Sequence, residues 1–109
     1  MKNKFLACAL ASTLVTLAAH AKTGEELYNA NCVACHGQDG KADSPTAKAL
    51  KATNLTGTYT KTKTPSEKYI VEVLTKGVSG TAMAPFPQLN DKEKHDVAKY
   101  VMTKLRAKK

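Results

Sequence analysis

The chain has 109 residues, with 17 lysines and arginines against 9 aspartates and glutamates, for a net charge of +8. That length accommodates one domain and excludes two within it. The positive balance does not indicate nucleic acid, because the lysines are scattered among acidic residues rather than clustered with aromatics.

The N-terminus reads as an export signal. Lys2 and Lys4 give a positive start, and Phe5 to Ala19 form an apolar run weakened by Ser12, Thr13 and Thr16. Ala19-His20-Ala21 then supplies the small-x-small pattern that precedes cleavage. A retained anchor would need about 20 apolar residues, more than this run offers. Residues 1–21 are therefore expected to be removed, leaving 22–109 as the domain, in the periplasm and without a membrane span. Cys8 stands too close to the charged start for lipid attachment and reads as a small apolar residue of the leader. The remainder has few aromatics (Phe86, four tyrosines and no tryptophan) and a size at which an unaided core is marginal. A large apolar prosthetic group would supply the missing core surface.

Three segments carry helix start signals. Thr23-Gly24-Glu25-Glu26 is a capping box opening a helix from about Gly24 to about Ala34, with Leu27, Tyr28 and Ala30 available for burial and Gly37 to end the turn. A shorter helix is expected from Ser44-Pro45 to about Lys51. Residues 52–63 hold five threonines, Asn54 and Gly57, and read as irregular chain. Thr64-Pro65-Ser66-Glu67 is a second capping box, followed by a stripe of Tyr69, Ile70, Val73 and Leu74 and a stop at Gly77. Gly77 to Leu89, with two glycines and two prolines, cannot be regular helix. Asn90-Asp91-Lys92-Glu93 is a third box, with Val97, Tyr100, Val101 and Leu105 as the apolar face and basic residues crowding the C-terminus.

Cys32-Val33-Ala34-Cys35-His36 carries the chemistry. The C-x-x-C-H pattern reads as a covalent haem site. Two thiols on one turn can reach the two vinyl groups on one porphyrin edge, and the adjacent histidine can address the iron. A thioredoxin-like redox pair would need a preceding strand and an α/β sheet. Zinc would need a second ligand pair. A structural disulfide would leave both His36 and the thin core unexplained. One haem c, held by Cys32 and Cys35 and ligated by His36, is the reading that uses every part of the motif.

For the other iron face the candidates are Met83, Met102 and His95. Met102 lies beside Val101 on a helix, and His95 lies among Lys92, Glu93, Lys94 and Asp96 in a solvated setting. Met83 sits in Gly80-Thr81-Ala82-Met83-Ala84-Pro85-Phe86-Pro87, a stiff loop of small residues and prolines that can aim a thioether. Methionine–histidine is a recognised axial pair, and Met83 is the expected second ligand.

Over 22–109 the chain resembles the class I c-type cytochromes. The resemblance implies an all-α fold, a small domain of three to five helices wrapped around one covalent haem. It also implies that Gly24, Tyr28 and Tyr100 pack the first helix against the last. Pro45 is implied as the proline whose neighbouring carbonyl holds the outer nitrogen of His36. The function implied is non-catalytic: a monomeric periplasmic carrier passing single electrons between respiratory partners. A fixed relay subunit of a membrane oxidase or dehydrogenase is the alternative, and a peroxidase or gas sensor with an open iron site is a third. The expected partners are redox proteins with acidic docking surfaces, approached by a positively charged carrier.

Overall fold

Among the described residues, four of the five α-helices begin at a side chain that accepts an otherwise unpartnered backbone N–H. In the computed structural model, which describes residues 20–57 and 65–107, these are α1 (Gly24–Asn31), α3 (Pro45–Ala49), α4 (Glu67–Lys76) and α5 (Asp91–Tyr100), while α2 (Val33–His36) follows directly on α1. Among the described residues there is no strand, and no helix is long and apolar enough to cross a membrane. Residues 1–19, including Cys8 and most of the expected export signal, residues 58–63 of the threonine-rich loop, Thr64, Lys108 and Lys109 lie outside the described residues.

The Thr23 hydroxyl accepts from Glu26 N at 3.2 Å, while the Glu26 carboxylate faces His20 Nε2 at 3.8 Å. Ser44 caps α3 through Ala47 N at 3.0 Å, with Pro45 in the first turn, where its missing N–H costs nothing. Helix α4 starts later than Thr64-Pro65 suggests, because Ser66 is the cap, accepting from Tyr69 N at 3.1 Å. The box before α5 forms in full: Asn90 Oδ1 accepts from Glu93 N at 2.8 Å, and Glu93 Oε1 from Asn90 N at 3.0 Å.

Two helices depart from the expected continuous form. The first is interrupted at Cys32 (φ −117°, ψ −30°), whose carbonyl accepts from both Cys35 N (3.2 Å) and His36 N (2.8 Å). This shared acceptor tightens the turn that carries the cysteine motif. The last continues from α5 as a π-helical turn, Val101–Leu105, with Arg106 N donating to Val101 O at 3.1 Å.

The core joins α1, α4 and the long C-terminal helix. Tyr28, Val97, Ala98, Val101, Leu105, Leu27 and Leu74 are all at most 2 % exposed; full burial of a large aliphatic side chain contributes about 1.5–3 kcal/mol. Ala30, expected inside, is exposed. Gly24 lets α1 approach the last helix closely: a Cβ there would overlap the Asp96 carbonyl and come within 3.1 Å of Tyr100 Cβ. The Tyr28 and Tyr100 rings lie 5.4 Å apart, tilted by 49°, within the separation of favourable aromatic pairs. These contacts set the crossing that the resemblance implies.

Candidate functional site

The end of α1 places Cys32 in the core at 8 % exposure, while α2 carries Cys35 and His36, both half-buried. The two cysteines are not bridged to each other, which leaves both sulfurs available for attachment. Burial, and secondarily the nearby Cys35, push the Cys32 thiol up to about 12, so it is protonated at neutral pH. Both cysteines and His36 line a cavity of about 290 Å³ whose walls include Ile70, Leu74 and Val97.

His36 Nδ1 lies 2.8 Å from the Thr53 carbonyl oxygen. A carbonyl only accepts, so the hydrogen is on Nδ1 and the lone pair of the neutral ring is on Nε2. Burial lowers the His36 pKa below its ordinary value, with the Thr53 hydrogen bond opposing. The net direction keeps the ring neutral, the form that binds metal.

The carbonyl that holds this ring was expected beside Pro45, and the structure assigns it to Thr53. Pro45 is exposed and begins α3. The chain between the two turns through Lys51, held at φ +54°, with Ala52 N donating to Ala47 O at 2.9 Å, and this turn delivers Thr53 to His36. No side-chain pattern could have indicated Thr53, since every residue carries a carbonyl.

Of the three candidates for the second ligand, only Met83 lines the cavity. Met102 packs against the core, and His95 is exposed with Nδ1 2.7 Å from the Asp91 carbonyl. The loop bearing Met83 hangs from the end of α4. Val78 N donates to Met83 O at 2.8 Å and Phe86 N to Leu74 O at 2.9 Å. Gly77 (φ +68°, ψ −172°) makes the junction, and a Cβ there would stand 2.8 Å from Met83 O and from Pro85 Cδ.

The donor set fits a porphyrin. Aliphatic walls suit the ring, two thiols one turn apart suit its vinyl groups, and a neutral imidazole with Nε2 free suits the iron. Among the described residues no group of three or more histidines, cysteines, aspartates or glutamates could hold a separate metal ion.

Comparison with known proteins agrees with this geometry. Residues 19–101 match the family described as cytochrome C oxidase, cbb3-type, subunit III. The chain is 32 % identical over 95 residues to cytochrome c6 of Cyanidium caldarium, covering 83 % of this chain and 76 % of that protein. The solved KustC0563 c-type cytochrome is 28 % identical, with a TM-score of 0.62, over 79 % of this chain and 96 % of that one. A chain of the Kuenenia stuttgartiensis reducing HAO-like protein complex shares the fold at a TM-score of 0.64 and 24 % identity over 76 % of this chain, which spans only 41 % of its length. The chain therefore belongs to the c-type cytochromes, in the family of the cbb3-type oxidase subunit III, and is an electron carrier with one haem c attached at Cys32-Val33-Ala34-Cys35-His36.

Proposed function

We propose that this domain is an exported electron relay working within a respiratory complex, its iron held between His36 and Met83. The observation that carries the axial assignment is that His36 and Met83 line the same cavity as both cysteines. When bound, the haem supplies a reversible one-electron step. His36 and Met83 would both hold the iron, leaving no position for a substrate and keeping rearrangement on oxidation and reduction small. Met83 favours the ferrous state relative to a second histidine. The aliphatic walls act in the same direction, because a dry pocket disfavours the extra ferric charge.

Attachment to a complex is preferred to free diffusion because the matched family is described as an oxidase subunit. Residues 1–21 would direct export to the periplasm and then be removed. Lys51, exposed and lining the cavity, would meet acidic surfaces on the redox partner, with transfer slowing as salt rises.

The test is to tag the full chain, solubilise membranes gently and purify it. Co-elution of a haem-containing complex larger than this chain is expected; elution alone, with spectrum intact, would return the assignment to a free shuttle. Carbon monoxide added to the reduced protein should leave its spectrum unchanged. A carbon monoxide complex formed at neutral pH would mean an open iron site and defeat the two-ligand reading.

A further inference from the structure

We infer that Arg106 is a positioning residue for the iron ligand His36, acting through the backbone of residues 53–57. This deepens the site proposed above at His36 alone and does not depend on Met83. Arg106 does not line the cavity. Its Nη1 donates to the carbonyls of Leu55 at 2.9 Å and Gly57 at 2.6 Å. Thr53, whose carbonyl accepts from His36 Nδ1 at 2.8 Å, is two residues before the first of these.

Among the described residues, the segment is fastened by two further backbone hydrogen bonds to other parts of the chain. Ala52 N donates to Ala47 O at 2.9 Å on one side of Thr53, and Leu55 N to Gly40 O at 2.7 Å on the other. Asn54 bonds within the turn, its Oδ1 accepting from Thr56 N (2.9 Å) and Thr56 Oγ1 (2.7 Å). The guanidinium is thus the long-range clamp from the C-terminal helix. Hydrogen bonds donated by a guanidinium are charge-assisted and stronger than neutral ones.

The π-helical turn explains how Arg106 gets there. Closing Val101–Leu105 with an i→i+5 bond inserts one residue relative to an uninterrupted α-helix. Side chains beyond the turn are therefore rotated by about 100°. Leu105 remains 2 % exposed, beside Gly40, where an added Cβ would lie 3.1 Å from Leu105 Cδ1. The next residue, Arg106, reaches the 55–57 carbonyls.

Hydrogen exchange in the processed ferrous holoprotein, followed by NMR, tests this. If residues 53–57 open as one unit, the His36 Nδ1–H and Leu55 N–H should exchange in parallel in the wild type. In Arg106→Leu both should exchange at least about tenfold faster, the scale expected for losing charge-assisted hydrogen bonds. The core amides of Leu27 and Val97 should change little, and Arg106→Lys should recover part of the protection, since an ammonium can still donate. Unchanged His36 exchange in Arg106→Leu, or uniform acceleration that includes the core amides, would overturn the inference. Should Arg106→Leu not mature, Arg106→Lys and the wild-type comparison still decide: intermediate acceleration at His36 and Leu55 supports it, and unrelated rates at these two sites refute it. Absence of haem absorbance in the wild type would instead defeat the site assignment itself.

Discussion

Replacing Gly77 by alanine perturbs the junction between α4 and the Met83 loop without touching either proposed iron ligand. Two costs add. At φ +68° and ψ −172° the backbone occupies a region almost exclusive to glycine, which costs about 1–3 kcal/mol for other residues. The new Cβ would also stand 2.8 Å from Met83 O and Pro85 Cδ, so these atoms must retreat by roughly half an ångström or more to reach ordinary contact. They are not free to do so cheaply, because Val78 N holds Met83 O across the loop and Phe86 N ties its far side to Leu74 O in α4. Gly80 is the matched control: its φ is +77°, but nothing lies within 4 Å of an added Cβ. Gly77→Ala should therefore be less stable than Gly80→Ala by about 1–2 kcal/mol, the overpacking increment. For a domain of this size that is roughly 5–15 °C in Tm. Thermal unfolding of the oxidised holoproteins measures it, and the weak sulfur-to-ferric-iron absorption band reports on Met83 in the same samples. Gly77→Ala should weaken or shift that band while Gly80→Ala retains it. Equal Tm values and identical bands for the two variants would refute the reasoning.

Met83→Ala should abolish the same band and let the reduced protein bind carbon monoxide, both read by absorption spectroscopy. Gly24→Ala should lower stability by about 1–3 kcal/mol or more, because its Cβ meets the Asp96 backbone rather than a movable side chain; urea unfolding measures this. Tyr28→Phe removes the 2.7 Å hydrogen bond from the Tyr28 hydroxyl to Gly37 O at a residue with no exposed surface. A loss of about 1–3 kcal/mol is expected from the weakened buried acceptor, again read by urea unfolding, with the ring packing retained.

What was readable in advance depended on whether side chains or backbone carried the information. Ser44, Asn90 and Gly77 mark helix ends because capping and positive φ select particular residue types, and these ends lie where expected. Cys32, Cys35 and His36 are legible because covalent attachment and ligation need those atoms at that spacing. Met83 is separated from Met102 and His95 by its loop, and it alone of the three lines the cavity. The break at Cys32 and the π-helical turn were not legible, because both are shifts in which carbonyl accepts which N–H and Val101–Leu105 has an ordinary helical composition. Thr53 was invisible for the same reason, and Pro45 attracted its role because a proline is conspicuous while a carbonyl is not. Arg106 read as one more cation favourable to a helix C-terminus, whereas its partners are 49 and 51 residues away in sequence.

The burial of Cys32 bears on the order in which the molecule is assembled. A thiol at 8 % exposure in the cavity wall, its pKa pushed up to about 12 by burial, is largely un-ionised in the closed fold, and a thiol is a far weaker nucleophile than a thiolate. Attachment at that sulfur is then expected to be faster while the polypeptide is still open. Packing that follows seals the linkage inside the finished core.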